Sequence, residues 1–306
     1  MTALTLTSPA KINLFLAVVG RRADGFHDLV SVVSPVAFGD TLTVESTASG
    51  DFTLECDDAS LVVDERNLVL RAARAFREAA GWPGGGRFRL TKRIPQGAGL
   101  GGGSSNATTT LMALNTLAGR PLGMDALAVL AARLGSDCPL FLHSAPLILR
   151  GRGERIELLP ETGVARLRNR RVWLFKPAFG IDTPWAFRRL AALAPGGYLV
   201  PAKAEERLAE WIARPDRPAE KLLFNTLESV SFEKYIALPV LVNQLREMFD
   251  LVVGMSGSGS TCFAFVPDSA STNLGREIRD VVMDAWGPET FFVETSLASD
   301  PVSRIV

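Results

Sequence analysis

The sequence predicts an α+β protein with two domains, and three observations support this prediction. The chain has 306 residues, which is more than one compact core usually serves. Segments with strand and helix patterns alternate, but without the regular strand–helix–strand rhythm of a parallel sheet. The sequence between about 155 and 170 is charged and irregular. We therefore place a boundary there and predict domains at 1–160 and 161–306.

Apolar and turn residues indicate the elements of the first domain. The segment 11–19 is largely apolar and precedes a cluster of turn residues, as a strand precedes a loop. The segment 67–81 carries apolar residues along one helical face and stops at Gly81, a typical helix end. The predicted elements are strands at 11–19, 41–46 and 52–56, a helix at 67–81, a strand at 87–94, and helices at 106–119 and 124–135.

The same patterns resume after the predicted boundary. A short apolar run bounded by charged residues and a proline predicts a strand at 172–177. Two apolar segments with glycines between them predict a strand, a loop and a second strand within 251–266. The remaining predictions are a mostly helical region at 184–249, a helix at 273–286 and a last strand at 290–296.

Composition excludes several classes of function. Lys+Arg and Asp+Glu both number 33, so the net charge is zero and bulk charge attracts neither nucleic acid nor a membrane surface. No segment reaches the ~18 apolar residues of a membrane span, and the N-terminus has no basic leader. Cys56, Cys138 and Cys262 are odd in number and far apart, which indicates free thiols in the cytoplasm. With two histidines besides, a dedicated transition-metal site is not expected.

The glycine-rich segment 97–103 is the strongest functional signal, because five glycines stand there directly before a predicted helix. Backbone N–H groups without a neighbouring Cβ can close on a phosphate, and a helix N-terminus adds partial positive charge. A Walker A loop is excluded because no lysine follows the glycines. A dinucleotide fingerprint is disfavoured because the preceding strand is half-charged and ends at a proline. A purely structural loop would leave the entropy cost of five glycines unexplained.

The motif Pro-x-x-x-Gly-Leu-Gly-Gly-Gly-Ser-Ser at 95–105 resembles the phosphate loop of the GHMP kinase superfamily, which includes galactokinase, homoserine kinase and mevalonate kinase. Segments at 8–29, 64–73, 134–142, 151–154 and 254–264 are similar, in order and approximate spacing, to the 4-diphosphocytidyl-2-C-methyl-D-erythritol kinase family. The resemblance implies an N-terminal ATP-binding domain and a C-terminal α/β substrate domain, with the site in the cleft between them. It also implies transfer of the ATP γ-phosphoryl group to a tertiary hydroxyl, in isoprenoid precursor synthesis.

The same resemblance assigns roles to two charged residues. It implies that Asp137 is the catalytic base and that Lys11 is its partner, screening the developing charge. Without the surrounding motifs, an aspartate in a turn would be interpreted as a cap and a lysine as a surface charge. The pair is therefore also a structural prediction, because two residues so far apart in sequence must meet.

The resemblance implies two sets of binding residues. Ser104 or Ser105 would also contact Mg²⁺, and no complete protein cage for the metal is expected. Asn67 is equally interpretable as a helix cap, and His27 as a turn residue facing solvent. The second glycine segment is equally interpretable as a simple hairpin. The implied ATP-binding residues are Pro95, Gly97, Ala98, Gly99, Leu100, Gly101, Gly102, Gly103, Ser104 and Ser105, with Asn67 and Lys92. The implied substrate-binding residues are Asn13, Phe26, His27, Thr183, Phe187, Gly257, Ser258 and Gly259.

Two alternatives stay open at this stage. One is another small-molecule kinase of the superfamily, such as homoserine or mevalonate kinase, and the other is a nucleotide-binding relative without turnover. Lys11 and Asp137 argue against loss of turnover, and the aromatic–histidine turn at 26–27 argues for a cytosine ligand, with Phe26 stacking on the base. We expect a monomer or homodimer whose partners are ATP and the cytidyl substrate.

Overall fold

The computed structural model describes residues 3–298, so residues 1–2 of the predicted first domain and 299–306 of the second lie outside the described part. Its strands are β1 (Ala3–Arg21), β2 (His27–Thr47), β3 (Phe52–Cys56), β4 (Gly85–Thr91), β5 (Leu147–Gly151), β6 (Arg155–Leu158), β7 (Arg171–Lys176), β8 (Phe224–Asn225), β9 (Val253–Met255), β10 (Cys262–Phe265) and β11 (Phe291–Ser296). Its α-helices are α1 (Leu68–Ala80), α2 (Gly102–Leu117), α3 (Met124–Leu134), α4 (Glu161–Leu167), α5 (Thr183–Ala192), α6 (Pro201–Ala213), α7 (Glu228–Lys234), α8 (Ala237–Phe249) and α9 (Leu274–Trp286).

The strands form two sheets, and α+β is therefore the correct fold class. The larger sheet has the order β3-β4-β2-β1-β8, and β5 and β6 extend it from a second part of β2. Its centre is the long antiparallel pair of β1 and β2, which runs from Ala3 opposite Glu45 to Arg21 opposite His27. The smaller sheet has the order β11-β7-β10-β9 and is antiparallel throughout. No helix in the described residues is long and apolar enough to cross a membrane.

Three larger groups of buried apolar side chains fill the interior. Helices α1, α2 and α3 pack against β1, β2 and β4 around residues such as Phe76 and Leu111. Helices α5, α7, α8 and α9 pack against the smaller sheet around residues such as Leu241. A further group combines β1 residues such as Ile12 with Trp211 of α6. The two halves of the sequence therefore share one buried region.

The structure corrects several sequence predictions. The predicted strand at 11–19 is the middle of the longer β1, and most of β2 was missed because its first part has no polar–apolar alternation. The region 155–170 is not irregular, since it contains β6 and α4, whose exposed charges hid their pattern. Helix α2 begins at Gly102 instead of at 106, so two loop glycines belong to its first turn. The short β8 interrupts the predicted helical region at 184–249.

Candidate active site

A large cavity lies where the two sequence halves meet. Its volume is about 1260 Å³, and its walls come from β1, the turn before β2, the segments at 61–68 and 90–106, the turn at 135–137, α5 and the loop at 257–258. Pockets for one drug-sized ligand are typically ~300–1,000 Å³. The cavity is therefore large enough for two substrates side by side.

The glycine segment forms one wall of the cavity through exposed backbone. Gly97, Gly99 and Gly101 all have positive φ, at 59°, 74° and 72°, which glycine adopts without steric cost. Gly101 is the N-cap of α2, and no side chain caps the helix there. The uncapped N–H groups of a 16-residue helix thus stand beside the cavity, together with the partial positive charge of its N-terminus.

A second glycine loop, between β9 and β10, packs directly on the first. A Cβ on Gly99 would lie 2.2 Å from the carbonyl oxygen of Ser256, and a Cβ on Gly257 would lie 3.4 Å from Lys11 Nζ. The hydroxyl of Ser256 donates to the carbonyl oxygen of Gly99 at 3.0 Å and accepts from the backbone N–H of Asn13 at 3.2 Å. The two loops and β1 therefore meet within hydrogen-bond distance.

Lys11 and Asp137 meet at this junction, although 126 positions separate them in the sequence. Lys11 Nζ lies 4.0 Å from Asp137 Oδ2 and donates to Asn13 Oδ1 at 2.7 Å. The Lys11 side chain is buried, whereas 45% of the Asp137 side chain is exposed to the cavity. Burial lowers the pKa of the Lys11 ammonium, and the charge of Asp137 partly opposes that shift. Asn13 is fixed in turn by donating to the hydroxyl of Ser31 at 3.0 Å.

A buried carboxylate that the sequence patterns did not indicate anchors the residues just before the glycine segment. Asp40 has no solvent exposure and accepts from the backbone N–H groups of Arg93 and Ile94 at 2.7 and 2.8 Å. It also accepts from Asn106 Nδ2 at 3.0 Å and forms an ion pair with Lys92. Asp40 thereby ties the segment before the glycines to the first turns of α2.

Asn67 caps α1, which was one of its two predicted roles. Its Oδ1 accepts from the backbone N–H of Val69 at 2.9 Å, and its Nδ2 donates to the carbonyl oxygen of Val62 at 2.7 Å. It also lines the cavity, near Lys92 and the glycine segment. With both polar atoms already hydrogen-bonded, Asn67 shapes this end of the cavity.

The other end of the cavity is aromatic. The turn before β2 is closed by the backbone N–H of Arg22, which donates to the carbonyl oxygen of Phe26 at 2.8 Å, and Gly25 supplies a φ of 86°. Phe26 is 50% exposed and lines the cavity. The His27 ring lies 4.9 Å from that of Phe187 on α5, between ring centroids. His27 Nε2 is buried without a hydrogen-bond partner, and burial lowers the pKa of the imidazole.

The chain is similar to known proteins in both sequence and structure. The chain matches the GHMP kinases N terminal domain over residues 67–145 and the GHMP kinases C terminal family over residues 207–282. It is 37% identical over 299 residues to the 4-diphosphocytidyl-2-C-methyl-D-erythritol kinase of Synechococcus sp. (strain CC9605), covering 92% of this chain and 95% of the relative. Its identity to the enzyme of the same name from Protochlamydia amoebophila (strain UWE25) is 39% over 264 residues, covering 86% and 84%. The chain belongs to the 4-diphosphocytidyl-2-C-methyl-D-erythritol kinase family.

Solved structures agree with membership of this kinase family. A crystal structure of 4-(cytidine 5'-diphospho)-2C-methyl-D-erythritol kinase superposes with a TM-score of 0.74 at 34% identity, covering 95% of this chain and 99% of that one. Homoserine kinase from Cytophaga hutchinsonii ATCC 33406 superposes with a TM-score of 0.71 at 16% identity, covering 98% and 96%. That second likeness concerns the fold alone. The resemblance predicted from the sequence motifs is confirmed.

Most residues implied by the kinase resemblance line the cavity, but two of them do not. Ser105 is fully buried in the first turn of α2, and its hydroxyl has no hydrogen-bond partner. Gly259 also points away, because a Cβ there would lie 2.7 Å from the Met255 sulfur. Both lie in motifs whose neighbours do reach the cavity, and sequence spacing alone does not reveal which way each residue faces.

The second glycine loop of this kinase is held by side chains from 225–228. Asn225 Nδ2 donates to the carbonyl oxygens of Met255 and Gly257 at 2.8 and 2.7 Å. The Thr183 and Ser258 hydroxyls are 2.7 Å apart, which joins the loop to α5. Glu228 Oε1 accepts from the backbone N–H of Met255 at 2.9 Å, and burial raises the pKa of that carboxyl to about 7. The loop is thus fixed from two sides.

Proposed function

We propose that this chain transfers the γ-phosphoryl group of ATP to the 2-hydroxyl of 4-diphosphocytidyl-2-C-methyl-D-erythritol. One observation carries the proposal: Lys11 and Asp137 converge where the two glycine loops pack together, between a backbone-rich end and an aromatic end of one cavity. Two substrates bound at the opposite ends would bring their reacting groups to this junction. Relatives at 37–39% identity carry the name of this activity.

In the proposed reaction, the acceptor oxygen forms a bond to the γ-phosphorus as the bond from that phosphorus to the bridging oxygen of ADP breaks. The hydroxyl proton passes to the Asp137 carboxylate, which faces the cavity at 4.0 Å from Lys11 Nζ. Lys11 stabilises the negative charge that develops between donor and acceptor. Since such a transfer requires little covalent chemistry from the protein, alignment supplies most of the catalysis.

At the backbone-rich end, the glycine segment would hold the ATP phosphates. Gly97, Gly99 and Gly101 have no Cβ that could block an anion. Their positive φ angles give the backbone a loop conformation that other residues rarely adopt. Lys92 and Asn67 line this end, beside the segment that Asp40 fixes. We assign the nucleotide base and ribose to the neighbourhood of Asn67 and Lys92.

The residues present fit a Mg²⁺ ion that takes most ligands from phosphates and water, as this ion commonly does. Among residues 3–298, no group of three His, Cys, Asp or Glu side chains could hold a metal alone. Ser104 lines the cavity at the first turn of α2 and would contact the ion, whereas the buried Ser105 would not. When bound, Mg²⁺ would neutralise charge on the transferred phosphoryl group.

At the aromatic end, Phe26 and Phe187 would hold the cytosine ring by stacking. The unpartnered His27 Nε2 would exchange a hydrogen bond with the pyrimidine edge, which would satisfy a buried polar atom. Thr183 and Ser258 would contact the acceptor from the second half, and Asn13 would orient it near Lys11. Homoserine and mevalonate carry no aromatic ring to fill this end.

The decisive test is ADP release with four acceptors: the cytidyl substrate, galactose, homoserine and mevalonate. We expect turnover with the cytidyl substrate alone. In the Asp137→Asn variant we expect turnover to fall at least ~100-fold, because the proton acceptor is lost. ATP and CDP binding, measured by calorimetry, should stay within about threefold. Asp125→Asn, an exposed change on α3 outside the cavity, is the matched control. Full turnover in Asp137→Asn would refute the assigned base.

We also propose that the enzyme acts in the cytoplasm, where ATP is made and thiols stay reduced. Cys56, Cys138 and Cys262 are all free, as expected in that compartment. The proposed partners are the two small-molecule substrates, and a monomer or homodimer remains the prediction for the assembly. Size-exclusion chromatography with light scattering distinguishes these two states.

A further inference from the structure

The charges on the cavity wall are strongly unbalanced. Six cationic side chains line it: Lys11, Arg21, Arg66, Lys92, Arg152 and Arg188. Asp137 is the one carboxylate among the described residues of the lining. A cleft lined by one sign of charge concentrates ligands of the other sign. The cavity therefore favours anionic ligands. A cation of the wall that has no carboxylate partner marks the place where a ligand would supply the negative charge.

Four of these cations already have a carboxylate partner. Lys11 pairs with Asp137, Arg66 with Asp64, Lys92 with Asp40 and Arg188 with Asp182. Within the described residues, Arg21 and Arg152 have no carboxylate at ion-pair distance. The charge of Arg152 lowers the pKa of Asp24 from a distance, but the Asp24 carboxylate forms its ion pair with Arg22. Two arginines of the cavity wall thus have a positive charge that no carboxylate in the described part of the chain neutralises.

The sheet places both arginines beside the aromatic end. Arg21 ends β1 opposite His27, and Arg152 follows β5 directly after Gly151, which lies opposite Leu29. Because β1 and β5 flank β2, their backbones are about 10 Å apart there. The Arg152 guanidinium lies 5.0 Å from the centre of the Phe26 ring. Its backbone is set in a tight turn between Gly151 and Gly153, both with positive φ.

We propose that Arg21 and Arg152 form an anion subsite for the phosphate groups of the cytidyl acceptor. This inference rests on the proposed function, because that function supplies a diphosphate next to the stacked base. A guanidinium binds phosphate oxygens through paired, charge-assisted hydrogen bonds. The subsite selects nucleoside diphosphates over neutral nucleosides, while Phe26, His27 and Phe187 hold the base. Arg152 would join the two functions, since its guanidinium lies against the Phe26 ring and would also bind the phosphates next to the stacked base.

The test compares ligands that share cytosine but differ in charge: cytidine, CMP and CDP. Calorimetry on the full chain should give tighter binding as phosphates are added. In Arg152→Met, whose apolar stem still covers Phe26, CDP affinity should fall about tenfold, and further in the double variant with Arg21→Met. Cytidine affinity should stay within about twofold. Arg155→Met, an exposed change on β6 outside the cavity, is the control.

Each outcome bears on a defined conclusion. Equal weakening of cytidine and CDP by Arg152→Met would mean that Arg152 only packs on Phe26, and would overturn the subsite. Unchanged CDP binding in the double variant, or a wild-type protein that binds CDP no better than cytidine, would overturn it as well. Absence of turnover by wild-type protein with charge-dependent cytidyl binding intact would instead refute the proposed reaction. In steady-state kinetics, Arg152→Met should raise the KM for the acceptor and leave the KM for ATP unchanged.

Discussion

At the scale of single residues, sequence motifs predicted which side chains would meet but not how each one is held. Lys11 and Asp137 were assigned from segments far apart in the chain, and the fold brings them to 4.0 Å. Asp40 went unnoticed, because an aspartate after a glycine is equally common in ordinary turns. Its structural role comes from its burial and from the N–H groups between Lys92 and Asn106 that donate to its carboxylate. Neither feature is visible in a single sequence. The burial of Ser105 was equally invisible, since the spacing of a motif does not fix which of its residues are buried.

Glu228 gives a pH prediction at this scale. Its folded-state pKa, about 7, lies above the ordinary value of 4.5, mainly because of burial. The folded state therefore binds the proton more tightly than the unfolded state. Its contribution to the free energy of unfolding is full below pH 4.5 and is lost as the pH rises through 7. The whole loss is about 3 kcal/mol. The hydrogen bond from Met255 and the charge of Arg246 lower the pKa and so keep the shift smaller than burial alone would make it.

The variant Glu228→Gln keeps an oxygen for the Met255 N–H and removes the titration. Urea unfolding between pH 5 and pH 8 should show the variant gaining about 2–3 kcal/mol relative to the wild type as the pH rises. Cys262 lies nearby, but burial raises the pKa of its thiol well above this window. A difference between the two proteins that does not change with pH would contradict the prediction.

At the scale of elements, β1 shows why alternation alone could not identify the site. Lys11, Asn13, Leu16 and Arg21 line the cavity, although strict alternation would put Leu16 on the opposite face from the others. The pairing of β1 with β2 shifts between Asn13 and Phe15 and again between Val18 and Gly20. Each shift inserts a residue and reverses which side chains face the cavity. Such bulges depend on the partner strand, so the sequence of β1 alone does not predict them.

The contact between the two glycine loops gives a prediction for this scale. In Gly99→Ala, the new methyl group would lie 2.2 Å from the carbonyl oxygen of Ser256, on a backbone whose φ is 74°. We expect a loss of at least about 2 kcal/mol in the free energy of unfolding, from backbone strain and separation of the loops. The KM for ATP should rise, because the phosphate-binding backbone moves.

Gly123→Ala is the matched control for this change. Gly123 precedes α3, has a φ of −74°, and a Cβ there would meet nothing within 4 Å. It should cost less than about 1 kcal/mol and leave the KM for ATP unchanged. A Gly99→Ala variant as stable and as active as this control would show that the loops do not require their observed contact.

At the scale of the whole molecule, the predicted domains 1–160 and 161–306 contribute to one sheet and to one group of buried side chains. β8 pairs with β1 in parallel, and Leu199 of the second half donates its backbone N–H to the carbonyl oxygen of Val18 at 3.1 Å. The group of buried side chains around Ile12 also includes Trp211. The predicted boundary lies between β6 of the larger sheet and β7 of the smaller one, but composition carries no signal for the packing across it.

A fragment of residues 1–160 should therefore fail to fold cooperatively on its own, because it exposes apolar surface that the second half covers. We expect a weak near-UV circular dichroism signal and no sharp urea transition. Expression together with 161–306 should restore both signals and ATP binding. A fragment that unfolds in one sharp transition and binds ATP alone would establish an independent first domain.

The long strand β1 has a further consequence for the proposed reaction. It carries Lys11, at the proposed phosphoryl-transfer junction, and Arg21, part of the proposed anion subsite, on one continuous backbone. If both assignments hold, the strand would fix the distance between the reacting hydroxyl and the phosphates of the bound acceptor. Rocking one half of the protein against the other would leave that measure unchanged. Discrimination by acceptor length would then be a property of the sheet and would not depend on the relative position of the two halves.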